Sequence, residues 1–161
     1  MCERHSTSDA PYLKKLIPIG EALYVQITMS MKEAFAKFST KPRNPRLCWS
    51  ARNEQLKTVV VTLWKDRILW KANPIAYDGS EPQGPDYSLQ RQGGRDRLDD
   101  LRCARDNCGG ELRVILVTPA DPNAVPRKVI DYDAKDWVMR LTELNEKTGE
   151  FKAVLCRRER I

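Results

Sequence analysis

The chain has 161 residues, 41% of them apolar and 31% charged, with 28 Lys and Arg against 22 Asp and Glu for a net charge of +6. That length buries a core without staples and is cramped for two full domains, and the composition is too apolar for general disorder. No apolar run reaches the roughly eighteen residues of a membrane span, the first ten residues hold no apolar signal core, and the five cysteines are scattered as reduced thiols are, so a cytoplasmic protein without membrane contact is expected.

Residues 1–10 are polar and aperiodic and read as a flexible tail, leaving 11–161 as one domain. An apolar segment around Tyr12, Leu16 and Ile19 is broken by Pro18 and Gly20, and residues 21–29 have the β-branched and aromatic content of a strand. Ser30 and Glu33 then make the S-x-x-E capping box that opens a helix from Met31 to about Phe38. After a proline-bearing loop, residues 46–64 read as a hairpin: a strand over 46–52, a turn near 53–55, and a second strand over 56–64 centred on Val59, Val60 and Val61. Residues 68–71 continue as a short strand, and the prolines and glycines between 72 and 94 predict a long loop.

The spacing of Leu98, Leu101, Ala104 and Cys108 predicts a helix over 95–107, stopped by Gly109 and Gly110. Residues 111–118 are apolar on both faces, as in a central strand. Three more strands are expected over 127–131, 136–144 and 150–156, the last two joined by a turn where Gly149 takes a positive φ. Six or seven strands with short connections and two or more helices predict an α+β fold: a curled, mainly antiparallel sheet or a partly open β-barrel with helices at its side.

Three of the four tryptophans fall between Cys48 and Trp70. Strand alternation places Trp64 with Thr58, Val60 and Thr62, on the less apolar face of its strand. A hairpin loop of two or four residues brings Trp49 onto that same face, opposite Val60, whereas a three-residue loop separates the two indoles. Such a face either packs as core or serves as a stacking platform for unpaired bases, lined by the Thr58 and Thr62 hydroxyls and roofed by the 72–94 loop with Tyr77 and Tyr87. Trp70 and Trp137 read as sheet or core residues.

Cations flank these aromatics. Arg43 and Arg46 precede the hairpin and Arg52 adjoins its turn, which is the combination needed to hold phosphates while flat rings hold bases. In "RQGGRDRL", Arg91, Arg95 and Arg97 surround two glycines that can offer amides to a phosphate, unless Arg95, Asp99, Arg102 and Asp106 are an exposed ladder of ion pairs. The expected function is a non-enzymatic nucleic-acid-binding module, for DNA or RNA, that takes a modified or flipped base. One alternative is a magnesium-dependent nuclease, since Asp131, Asp133 and Lys135 resemble the D-x-K part of such enzymes without the acidic residue that opens the preceding strand. Another is a protein-interaction or regulatory domain, which fits if the aromatics are buried. With His5 the sole histidine and no phosphate-loop motif, neither a cofactor nor a resident metal is expected.

The segments "WSARNEQLKTVVVTLWKDR", "GGRDRLDDLRCARDNCGGELRVILV" and "WVMRLTELNEKTGEF" resemble a family of short bacterial proteins, a likeness that spans 48–151 and carries over no catalytic role. The order of elements is also similar to the PUA-like group of small barrels, with its EVE and SRA readers of modified bases. That likeness implies an aromatic enclosure for a base and assigns no individual residue.

Overall fold

The computed structural model describes the backbone of residues 13–19 and 22–27 and all of residues 29–161; the tail expected at 1–10 lies outside the described residues. Strands β1 (Leu13–Ile19) and β2 (Ala22–Ile27) pair antiparallel as a hairpin of their own. Helix α1 (Met31–Ala36) starts at the capping box read from the sequence. The Ser30 hydroxyl accepts from the Glu33 amide at 3.2 Å, and the Glu33 carboxylate accepts from the Ser30 amide at 2.9 Å.

The main sheet has seven strands: β3 (Ser50–Asn53), β4 (Thr58–Trp64), β5 (Ile68–Leu69), β6 (Ala76–Asp78), β7 (Glu111–Pro119), β8 (Val129–Leu144) and β9 (Phe151–Arg158). Their order is β3-β4-β7-β8-β9-β6-β5, so the sheet is open, with β3 and β5 at its rims, and does not close into a barrel. Every pairing is antiparallel except β4 with β7. The crossover between those two strands carries α2 (Tyr87–Gln90) and α3 (Gln92–Asn107).

β4 and β7 are buried on both faces, as their apolar runs require. On one face Val59, Val61 and Leu63 join Leu112, Val114 and Leu116 beneath Leu101 and Ala104 of α3; Trp137, Met139, Phe151 and Tyr77 complete this core. On the other, Ala51, Val60, Ile115 and Val117 pack under Ala34, Phe35 and Phe38 from α1 and the turn after it.

Several elements differ from the sequence reading. Residues 72–94 are not one loop: β6 pairs with β9, with Tyr77 tilted on Phe151 at 5.4 Å, and α2 docks where Ser88 donates to the Thr148 carbonyl at 2.7 Å. The strands expected over 127–131 and 136–144 are one strand, because the register across β7 slips between Ala134 and Val138 in a bulge that bends β8 without ending it. The turn before the final strand does form, and Gly149 takes φ 77°.

Phe35 is fully buried and is the largest side chain α1 lays on the sheet. Phe35→Ala is therefore expected to destabilise the protein by about 3–5 kcal/mol, read from the urea midpoint at unchanged m.

Candidate functional site

The carboxyl ends of the parallel pair β4 and β7 and the amino ends of their antiparallel neighbours β3 and β8 come together at one end of the sheet. A cleft of about 330 Å³ opens there. Its floor is Thr62 and Trp64 from β4, Val117 from β7 and Tyr132 from β8; Trp49, just ahead of β3, forms a wall. The segment between β6 and α2 roofs it with Glu81, Pro82 and Gln83, and Tyr87 of α2 stands beside them.

Both indoles carry a guanidinium. Arg97 lies with its Cζ 5.0 Å from the Trp49 ring centre and 5.0 Å from that of Phe151, and donates through Nη2 to Glu81 Oε1 at 3.0 Å. Arg127 lies 5.0 Å over Trp64 and grips Asp66 with two bonds of 2.9 Å. A desolvated cation on an aromatic face contributes about 2 kcal/mol, and the ring in turn is held to a single orientation. Tyr87 runs nearly parallel to Trp49, at 6.4 Å and 16°, and Arg91 caps Tyr87 at 5.2 Å. Arg127 is the only cation or ring stacked on Trp64 among the described residues.

The hairpin loop has four residues, which puts Trp49 and Trp64 on one face as its parity requires. The register pairs Ala51 with Val60, so Trp49 lies opposite Thr62 and not opposite Val60. The Thr62 hydroxyl is engaged in that pairing and donates to the Trp49 carbonyl at 3.2 Å. Thr58 sits at the far end of β4, where its hydroxyl donates to the Leu56 carbonyl at 3.2 Å, outside the cleft. Tyr77 is buried in the α3-side core, and Trp70 is 46% exposed with its edge on the buried Trp137.

Among the expected cations, Arg46 lines the cleft and, like Lys128 of the same lining, forms no ion pair among the described residues. Arg43 and Arg52 face α3 instead. Arg43 reaches Asp100 at 2.6 Å and Asp99 at 3.3 Å, and Arg52 reaches Asp99 at 3.0 Å. Asp100 has no exposed surface and also accepts from the Ser50 hydroxyl at 2.6 Å; burial pushes its carboxyl up from the usual range. The expected ladder along α3 is replaced by these ties to the hairpin and by Arg102 on Glu146 at 2.6 Å. Arg95 holds the α2–α3 junction through the Leu89 carbonyl and Gln92.

The glycines at the start of α3 act in packing. A Cβ on Gly93 would stand 2.6 Å from the Leu47 carbonyl and 2.9 Å from Trp49, and one on Gly94 runs into the Ser88 carbonyl. They let α3 press against the wall of the cleft and against α2.

Asp131, Asp133 and Lys135 lie on β8, where the two carboxylates flank Tyr132 of the floor, and none of the three lines the cleft. Burial and the neighbouring Asp133 raise the Asp131 carboxyl, and Lys135 is 3.7 Å from Asp133. Asp121 turns back on the Asn123 amide, and no three metal-holding groups gather among the described residues. Arg157 and Arg158, at the basic end of the chain, belong to β9 and pair with Glu111 and Asp136.

Sequence reasoning missed Arg127 and Glu81, and it placed Arg97 beside a phosphate with Arg91 and Arg95, not in the wall against Trp49. Arg97 shares the inward face of α3 with Leu101 and Ala104, and a charge at that spacing was the available signal. Arg127 and Glu81 stand in turns with no periodicity to mark them.

Comparison with protein-family models, curated proteins and solved structures finds no match to this chain. No helix among the described residues is long and apolar enough to cross a membrane.

Gly94→Ala is expected to cost about 1–3 kcal/mol or more, seen in urea denaturation, because the obstructing atom is backbone. Cys48, in the cleft wall, donates to the Ser50 carbonyl at 2.8 Å, and burial pushes its thiol up to about 11. Its thiolate therefore appears only as pH rises toward that value. Iodoacetamide at pH 8 should alkylate exposed Cys156 at least about tenfold faster than Cys48, with the gap narrowing at higher pH, as followed by peptide mass spectrometry.

Proposed function

We propose that this protein is a non-enzymatic nucleic-acid-binding module that seats an unpaired or flipped, and in some partners modified, base in the cleft. The observation that carries this is the meeting, at one opening, of two guanidinium-braced indoles with two cations that have no counter-ion among the described residues, Arg46 and Lys128. Rings take the base and free cations take the phosphates on either side. The bracing arginines are themselves suited to such a site. Arg97 and Arg127 are neutralised by Glu81 and Asp66, so the interior favours a neutral ring while the positive charge stays at the rim. A PUA-like base reader, as the element order suggested, is the finer form of the proposal; the mainly antiparallel sheet with an aromatic cleft at one end supports it. Binding to DNA, to RNA or to both is compatible with such a site.

Labelled single-stranded DNA and RNA titrated at two salt concentrations test this. Trp64→Ala should weaken binding by about 1–3 kcal/mol, roughly 5- to 150-fold, and removing both Arg46 and Lys128 should lower the slope of log affinity against log salt by about 0.7 per cation lost. No binding at low salt, or binding indifferent to salt and to Trp64, overturns the proposal.

A further inference from the structure

Arg97 is 4% exposed, yet of its three nitrogens only Nη2 has a partner; Nε and Nη1 make no hydrogen bond among the described residues. A buried guanidinium left partly unpaired costs free energy unless something supplies an acceptor. Glu81 is in a similar position. Its Oε1 receives Arg97, and its Oε2 accepts nothing among the described residues, although a carboxylate offers about four lone-pair sites. The two groups line the same cleft as Trp64 and Trp49, and their single mutual bond leaves Nη1 of the one and Oε2 of the other without a partner among the described residues.

From this juxtaposition we infer that the cleft prefers guanine, an inference that rests on the base-binding reading above. The Watson–Crick edge of guanine carries two adjacent donors, N1–H and the 2-amino group, next to the O6 acceptor. The Glu81 carboxylate accepts from the donors, and Arg97 Nη1 donates to O6. Other bases match this pair less well. Adenine and cytosine each turn a ring-nitrogen acceptor toward the carboxylate and offer one exocyclic amine, and uracil offers one N–H between two carbonyls. Because the Glu81–Arg97 pair is neutral as a unit, it suits an uncharged base edge, and the phosphate is left to Arg46 and Lys128.

Quenching of tryptophan fluorescence by the 5′-monophosphates of guanosine, adenosine, cytidine, uridine and inosine tests the inference. Guanosine monophosphate should bind about tenfold or more tighter than the adenosine, cytidine and uridine compounds. Inosine monophosphate, which lacks only the 2-amino group, should lose several-fold of that advantage with the protein unchanged. Glu81→Gln keeps an acceptor for Arg97 but places an amide against the guanine donors, and should bring the four common nucleotides within about twofold of one another, with circular dichroism reporting whether the fold is kept. If the variant does not fold, the inosine comparison decides. Equal binding of all five overturns the guanine preference and leaves the base reader standing, whereas failure of every mononucleotide and of the oligonucleotides above removes both.

Discussion

β4 and β7 run parallel, with Val60 beside Arg113 and Trp64 beside Val117, and two parallel strands cannot be joined by a tight turn. The chain between them must leave the sheet and return, and here it does so through β5, β6, α2 and α3. That detour brings α3 across Val61, Leu63, Val114 and Leu116, while the opposite face remains for α1. It also leaves two strands finishing at the same end of the sheet. Side chains from β4, β7, β8 and the approach to β3 converge there on a hollow.

Charge is distributed around this frame in an uneven way. Much of the arginine excess is internally neutralised: Arg43 and Arg52 lock α3 to the hairpin, Arg127 holds the turn at residues 65–67, Arg157 reaches across β8 to Glu111 of β7, and Arg158 ties β9 to Asp136 of β8. The exposed pairs among these contribute little to stability, because water and salt screen them. The Asp100 cluster is different, because a carboxylate with no exposed surface must keep its partners or leave a charge stranded. Of the four cations that line the cleft, Arg97 and Arg127 are paired, and Arg46 and Lys128 have no such tie among the described residues.

Much of the frame was legible in the sequence. The S-x-x-E box marked the start of α1 and the two-faced apolar run of residues 111–118 marked a central strand, since local rules decide both; alternation fixed the face of Trp64, whereas that of Trp49 hung on the loop length, which the register supplies. What stayed hidden depends on distant partners. β6 is three residues long and is a strand because β9 lies beside it; α2 is one turn held by Thr148; and β8 is continuous because β7 supports it through the bulge. For the cleft, the aromatics were visible by spacing, whereas Glu81 and Arg127 come from turns whose location only the crossover determines. Gly93 and Gly94 were legible as special positions, but the sequence alone does not distinguish an amide offered to phosphate from a close approach to Leu47 and Ser88.

The rims of the sheet are short, four residues at β3 and two at β5. A newcomer strand seeking to extend the ladder at either side finds few unsatisfied amides and carbonyls in a row, and at β3 it also meets the guanidinium of Arg52. The main sheet therefore offers a second copy little template for zipping edge to edge at either margin, and that protection comes with the strand order itself.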